Sequence, residues 1–340
     1  MGPVTPLLAV HGALKKIDPS IEAVWIGTRH GPERVVVEHA GFRFYDLPVV
    51  RCVRSLSVEW LLFPFKFFAA CFKAVQIIRC EKPNVVGSAG GYTAVPVVLG
   101  AKLFGIPVWV HSQDVQVTLT TRLTAPFADR LTAAWKQSTQ HLGAKARVVG
   151  NPVRHSVLGG SRARAQERFG LDAHKPTVVI FGGGTGASWL NHITREIVEP
   201  LVKKANVIHI TGRGKRASEI SQAHYAVREF LREEMADALA VADVLVCRAG
   251  MGTITELAAL SKPAILIPLP HSAQEKNAEA VQDACVILDQ QSTTSERLLE
   301  LIEYLLEDAK ERERLGQTMH HKLKTDVADE LAEMIKGMRN

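Results

Sequence analysis

The run Arg248 to Leu257 reads Arg-Ala-Gly-Met-Gly-Thr-Ile-Thr-Glu-Leu, and its residue types and spacing carry chemistry. The apolar stretch Asp243–Cys247 ahead of it predicts a strand, the glycines predict a turn, and a helix is expected to open near Thr253. Glu256 would then sit on the helix's first turn. Amides at a helix start have no partner inside the helix and attract phosphate, while a carboxylate beside them can accept the two hydroxyls of a sugar diol. The segment thus offers one place for a nucleotide's diphosphate and another for its ribose. The same letters also spell a capping box, Thr253-x-x-Glu256, which closes a helix end with no ligand at all. On these residues alone both readings stand.

A second glycine run, Phe181-Gly182-Gly183-Gly184-Thr185-Gly186-Ala187, follows the apolar stretch Thr177–Phe181 and precedes a helical pattern. Glycines there let backbone amides approach a phosphate closely. The terminal Lys-Ser/Thr of a Walker loop is absent, as is the full dinucleotide fingerprint. A tight strand-to-helix turn without a ligand is the alternative. Gly87-Ser88-Ala89-Gly90-Gly91-Tyr92 is a third such loop, in the first half of the chain. Two phosphate-friendly clefts facing each other, one in each half, would suit a donor and an acceptor that both carry phosphate.

His111-Ser112-Gln113-Asp114 ends another strand pattern, where cleft residues commonly sit. Asp114 is a candidate for accepting a proton or holding a sugar hydroxyl; His111 is a second candidate, or a buried structural histidine. Gln274 and Asn277 lie three apart and share a face if helical, and uncharged amides suit sugar hydroxyls. Their alternative is a polar helix start. The segment Trp60–Lys73 is the most hydrophobic in the chain. Trp60, Phe63 and Phe67 with Lys66 and Lys73 would suit an acidic lipid surface, although a buried helix would look similar.

The elements that must position these residues alternate between strand and helix almost end to end. Candidate strands are Ala23–Ile26, Asn84–Gly87, Pro107–His111, Arg147–Val149, Thr177–Phe181, Asn206–Ile210, Asp243–Cys247 and Ala264–Ile267. They are rich in Val and Ile without polar alternation, as parallel strands covered on both faces are. This predicts an α/β fold of two Rossmann-like doubly wound domains facing across a cleft, with ligands outside the strand ends. The expected domains are residues 1–152 on the acceptor and membrane side, and 153–315 for the nucleotide sugar. A C-terminal helix, 316–340, is expected to return to the first domain. Gly2-Pro3-Val4-Thr5-Pro6 reads as a glycine turn followed at once by a helix, with no strand before it. The expectation is a true start upstream, since losing a central strand would expose much of the core.

Bulk properties narrow the function classes. The 340 residues allow two cores, and a net charge of +6 suits an anionic partner such as a nucleotide or an acidic lipid surface. No basic tract interleaved with aromatics points to nucleic acid. Five scattered cysteines, none in a C-x-x-C pair, argue against a zinc or disulfide framework. No D-x-D pair and no His/Cys cluster with metal spacing occurs, so no metal and no other cofactor is expected. No apolar run is long enough to span a bilayer.

In one order, these blocks resemble the MurG family of peptidoglycan glycosyltransferases over nearly the whole chain. The matching pieces are V-T-P-L-L-A-V at 4–10, G-G-Y at 90–92, G-I-P at 105–107, H-x-Q-D at 111–114 and G-N-P-V-R at 150–154. They continue with the glycine turn at 182–187 and Asn191, T-G at 211–212, E-F-L with Met235, A-D-V-L-V-C-R-A-G-M-G-T-I-T-E-L-A-A-L at 242–260, K-P-A-I-L-I-P-L-P at 262–270 and Q-x-x-N-A at 274–278. The resemblance implies a GT-B fold and inverting transfer of GlcNAc from UDP-GlcNAc to lipid I, giving lipid II. It implies that Glu256 binds the ribose and the backbone at Leu231 reads the uracil. Arg154, Gly183, Gly184, Thr185, Gly186, Gly252 and Thr253 would hold the diphosphate, with Gln274 on the sugar and Asn277 supporting it. Lipid I would meet Thr5, Gly90, Gly91 and Tyr92. The enzyme would work peripherally on the cytoplasmic face of the cell membrane, beside cell-wall synthesis proteins. The chain also departs from the family. Pro3 stands where a histidine is the usual base, and a prolyl ring accepts no proton, which leaves Asp114 and His111. Gly184-Thr185 replaces serine-glutamine.

Overall fold

Runs of Val and Ile between glycine turns fold as parallel strands in the computed structural model of the chain. It describes residues 2–29, 31, 33–48, 59–183, 186–215 and 222–338, without the side chains of 59–62. The chain divides into two compact units, residues 1–152 with 326–340, and residues 153–325.

The first unit runs α1 (Val4–Ile17), β1 (Val24–Thr28), α2 (Glu33–His39), β2 (Arg43–Leu47), α3 (Glu59–Glu81), β3 (Val86–Ser88), α4 (Ala94–Leu103), β4 (Val108–Ser112), α5 (Leu119–Thr124), β5 (Arg130–Ala133), α6 (Thr139–Leu142) and β6 (Ala146–Val148). Its strands form two sheets, a parallel pair β1-β2 and a four-stranded sheet ordered β3-β4-β5-β6. Among the described residues no strand pairs with both β1 and β3.

The second unit runs α7 (His155–Leu158), α8 (Arg162–Phe169), β7 (Thr177–Phe181), α9 (Ser188–Lys204), β8 (Asn206–Ile210), β9 (Tyr225–Arg228), α10 (Glu234–Val241), β10 (Val244–Cys247), α11 (Met251–Ala259), β11 (Ala264–Leu266), α12 (Ala273–Glu279), β12 (Val286–Ile287), α13 (Ser295–Glu307) and α14 (Ala309–Lys322). All its strands join one parallel sheet ordered β12-β11-β10-β7-β8-β9. The core cluster packs Leu190, Ile193, Ile197 and Leu201 of α9 with Leu298, Ile302 and Leu305 of α13 and strand residues such as Val178, Ile180 and Val246. These helical residues recur every three or four positions, so one stripe of each helix is buried.

The last helix, α15 (Ala328–Lys336), belongs to the first unit. Its Leu331 and Ile335 pack with Val10 of α1 and Trp109 of β4. The expected crossing at residue 316 lies instead at 326. Helix α14 stays with the second unit because Gly316 presses on α11's exit: a Cβ there would lie 2.2 Å from the Ser261 carbonyl oxygen. His320 Nδ1, 2.9 Å from the Ala258 carbonyl oxygen, adds a second tie.

Candidate functional site

In the second unit the Arg248–Leu257 segment takes its shape from where α11 begins. Gly250 is the N-cap, in extended backbone and without a side-chain cap bond, and the helix starts at Met251. Thr253 is therefore the third helical residue. Glu256 is the sixth, one turn deeper than the sequence suggests, and no capping box forms. The amides of Gly252 and Thr253 find no acceptor within the helix. A Cβ on Gly250 would meet nothing within 4 Å, so open space lies beside this turn.

Glu256 is buried, and its Oε1 accepts a hydrogen bond from Arg154 Nη2 at 2.9 Å. Burial raises the Glu256 pKa and the Arg154 guanidinium opposes that shift. A buried carboxylate with a cation at its edge strongly favours polar company. Arg154 stands at the N-cap of α7, and its Nε is buried without a partner among the described residues. Two of the expected donor-site residues, 102 positions apart in sequence, thus meet directly.

The two ends of the glycine run after β7 are sterically closed. A Cβ on Gly182 would lie 2.3 Å from the Ala187 amide nitrogen, and one on Gly186 would lie 2.2 Å from the Thr211 carbonyl oxygen. Gly183 and Gly186 have φ of 84° and 67°, backbone that favours glycine. The Gly186 amide bonds the Gly183 carbonyl at 2.9 Å. Gly184 and Thr185 lie outside the described residues.

On α12, capped by Ser272, Asn277 is buried and its Nδ2 donates to the Ala249 carbonyl at 3.4 Å. It therefore ties α12 to the Arg-Ala-Gly turn. Gln274 Oε1 accepts from the Leu269 amide at 3.0 Å, which folds the connection from β11 back onto α12. Leu231 is buried between β9 and α10. Arg248, not assigned a role from the sequence, proves to organise this region. Its buried guanidinium donates to the Ile267 and Pro268 carbonyls and to Gln290 Oε1. Burial lowers its pKa. Its partners lie 19 to 42 residues away, so no local pattern could announce them.

The first unit places its candidates differently. His111 is fully buried on β4, with Nδ1 2.9 Å from Thr132 Oγ1 and Nε2 2.9 Å from Asn151 Oδ1. Burial holds its pKa down to about 4. With both ring nitrogens occupied and no exposed surface, His111 is a structural histidine, and the expectation of a second candidate base is corrected. Asp114 lies just past the strand end, half-buried. Gly90 and Gly91 both have φ of 95°, and Tyr92 beside them is exposed. Thr5 is half-buried on the first turn of α1. Pro3, at the N-cap of α1, lies against this turn: its Cγ is 3.8 Å from where a Gly91 Cβ would stand.

The aromatic helix α3 exposes a different stripe from the one expected. Phe65, Phe68 and Phe72 are 74%, 70% and 65% exposed, whereas Phe63 and Phe67 are half-buried and stack on each other with centroids 6.1 Å apart. Lys66 is half-buried, and Lys73 Nζ is paired with Asp46 at 3.1 Å. The three exposed rings follow the i, i+3, i+7 spacing of one helical face. The side chain of Trp60 lies outside those described. No described helix is long and apolar enough to cross a membrane.

Comparison with known proteins assigns both parts of the chain. Residues 1–133 match the model of the glycosyltransferase family 28 N-terminal domain, and residues 177–334 that of the C-terminal domain. A Clostridium kluyveri protein named UDP-N-acetylglucosamine–N-acetylmuramyl-(pentapeptide) pyrophosphoryl-undecaprenol N-acetylglucosamine transferase is 33% identical, over 89% of this chain and 88% of that one. Its namesake from Clostridium novyi is 31% identical, over 98% and 95%. Among solved structures, Acinetobacter baumannii MurG superposes with a TM-score of 0.71 at 24% identity, covering 98% of this chain and 95% of that one. The UDP-GlcNAc 2-epimerase of Neisseria meningitidis, bound to UDP-GlcNAc, reaches 0.72 at 14% identity, covering 99% and 97%. The structural likenesses carry the two-domain GT-B fold. The domain matches and the sequence relatives carry more: the chain belongs to glycosyltransferase family 28.

Proposed function

We propose that this chain transfers GlcNAc from UDP-GlcNAc to the undecaprenyl-diphosphate-linked muramyl pentapeptide lipid I, with inversion, giving lipid II. The observation that carries the reading is the Arg154–Glu256 pair beside the N-terminus of α11, in a chain whose curated relatives bear that transferase's name. Glu256 accepts the ribose hydroxyls. Arg154, already at its edge, exchanges part of its hydrogen bonding from the carboxylate to the diphosphate. Leu231 lends its backbone to the uracil. Gln274 holds the sugar, and Asn277 keeps α12 in register with the Arg-Ala-Gly turn.

Departure of UDP places negative charge on the β-phosphate. The Arg154 guanidinium, the amides of Gly252 and Thr253 and the turn at residues 183–186 offset that charge. This donor set needs no metal. The acceptor binds at Thr5, Gly90, Gly91 and Tyr92, and Asp114 takes the proton from its attacking hydroxyl. Phe65, Phe68 and Phe72 seat the protein on the cytoplasmic leaflet, as exposed aromatics do at a lipid interface. Cell-wall synthesis proteins are its expected company there.

The test is turnover of UDP-GlcNAc with a lipid I analogue, with and without EDTA. Product at an EDTA-insensitive rate is expected. Product only from another UDP-sugar would move the reading to a different lipid glycosyltransferase, and UDP binding without product would leave a nucleotide-sugar-binding protein. Sedimentation with anionic vesicles tests the membrane seat: Phe68→Ser with Phe72→Ser should release the protein.

A further inference from the structure

His209 is the fourth residue of β8, fully buried in the interior of the second unit's sheet. Its Nδ1 lies 2.8 Å from the Tyr225 hydroxyl and its Nε2 lies 3.1 Å from Asn191 Oδ1. Asn191, on the first turn of α9 and itself buried, donates from Nδ2 to the Thr211 carbonyl at 2.9 Å. That last bond fixes the direction of the chain. A carbonyl oxygen only accepts, so the Asn191 amide nitrogen must face Thr211 and its oxygen must face His209. His209 therefore carries its proton on Nε2, and its bare Nδ1 accepts from Tyr225. Burial holds the His209 pKa down to about 4, so the neutral tautomer persists throughout the neutral range.

The chain Tyr225–His209–Asn191–Thr211 ends on the carbonyl against which the glycine turn is packed. Gly186 approaches the Thr211 carbonyl so closely that any Cβ would stand 2.2 Å from it. Lys215 Nζ reaches the Gly186 carbonyl at 3.3 Å from the same exit of β8. The position of Gly186, whose amide closes on the Gly183 carbonyl, is set by where the Thr211 carbonyl sits.

We propose that His209 is a positioning residue for the donor diphosphate, acting through Asn191 and the Thr211 carbonyl on the glycine turn. The proposal deepens the transferase reading and rests on it for the identity of the ligand. It differs from a purely structural role in predicting a loss confined to the donor side.

The experiment compares His209→Phe, His209→Gln and Asn191→Ala with wild type. It measures UDP affinity by calorimetry, the KM values of UDP-GlcNAc and of a lipid I analogue, kcat and the unfolding midpoint. His209→Phe fills the space and removes both hydrogen bonds. It should weaken UDP binding and raise the donor KM about tenfold, the scale of one lost buried hydrogen bond, with acceptor KM within about twofold. Asn191→Ala should do the same and keeps the test alive should His209→Phe not fold. His209→Gln keeps a donor near the Nε2 position and should recover most of the loss. Adding His209→Phe to Asn191→Ala should worsen nothing, because the two act in series. Wild-type UDP affinity in a folded Asn191→Ala protein overturns the proposal. So does an equal rise in both KM values, which would mark a structural role only. Should the wild type bind UDP and make no product, the transferase reading fails while the UDP comparison still decides the role of His209. A wild type that binds no UDP ends both.

Discussion

In the second unit β7 lies between two flanks, with β8 and β9 on one side and β10, β11 and β12 on the other. The first unit repeats both flanks: β1 and β2 match one, and the sheet beginning at β3 matches the other. Among its described residues nothing stands in the place of β7. The difference is felt at the turns. Gly182 follows β7 and is closed by the Ala187 backbone, and Gly186 is clamped by the exit of β8 through the Thr211 carbonyl. Gly2 and Pro3 lead into α1, which occupies the same place in the first unit as α9 in the second. A Cβ added to Gly2 would lie 3.3 Å from Gln113 Nε2, and one added to Gly91 would lie 3.8 Å from Pro3 Cγ, so neither position is closed by backbone as Gly186 is. The donor half is thus the more completely specified, and the acceptor half is where substitution should reveal most.

Asp114 gives the largest expected effect. In the first unit Pro3 offers no proton acceptor and His111 is locked by Thr132 and Asn151. That leaves Asp114 as the candidate carboxylate at the end of β4. Asp114→Asn should lower kcat about 10²–10⁴-fold, the usual worth of a general base, with the donor KM unchanged and the far-ultraviolet circular dichroism intact. Full turnover would mean that the first unit supplies no base, and the comparison would then have to be redrawn around binding alone.

Acid should expose what the two units share. Among the described residues each has a fully buried neutral histidine, His111 in the first and His209 in the second, with pKa held down to about 4 from an ordinary 6.5. Such a depressed histidine contributes stability that is fully present above pH 6.5. It is lost as pH falls toward 4, because the unfolded chain takes up the proton first. Between pH 7.5 and 5 each should remove about 2 kcal/mol of unfolding free energy, read from urea melts. Stability that stays flat over that window would mean the imidazoles protonate in place, and the tautomer argument for His209 would fall with it.

Glu256→Gln sharpens the division of labour between the halves. Glutamine keeps the shape and one acceptor oxygen but removes the charge that holds Arg154. The donor KM should rise about 10–100-fold, the worth of a charge-assisted hydrogen bond, while the acceptor KM holds. A parallel rise in acceptor KM would deny that Glu256 serves the donor alone.

How far the sequence revealed these features depended on the range of the interactions involved. Thr177–Phe181 and Asn206–Ile210 read as strands with their observed ends, because both are rich in Val and Ile and lie in the middle of a parallel sheet. β2 (Arg-Phe-Tyr-Asp-Leu), β5 (Arg-Leu-Thr-Ala) and β9 (Tyr-Ala-Val-Arg) escaped, since each is short and polar at one or both ends. Their pairing comes from neighbours distant in sequence. The two strand groups of the first unit were equally hidden, as were Arg248 with Gln290 and His209 with Asn191. Even on α3 the aromatic content was plain, but which rings face out depends on what covers the others. Phe63 and Phe67 stack together, leaving Phe65, Phe68 and Phe72 outside.

The smallest expected effect decides the reading with which the donor segment is most easily confused. Thr253-x-x-Glu256 has the letters of a capping box, yet Gly250 caps α11, Thr253 is already the third residue of the helix, and Glu256 turns to Arg154. Loss of a true capping threonine costs about 1–2 kcal/mol. Thr253→Ala should instead leave the unfolding free energy within about 0.5 kcal/mol of wild type, as alanine suits a helix and no cap bond is lost. The donor KM should rise by a few-fold, since the hydroxyl stands beside the amides offered to the diphosphate. A stability loss near the capping value, with the donor KM unmoved, would return the segment to its bland reading. Glu256 would then bind Arg154 for the sake of the fold and not in readiness for a ribose.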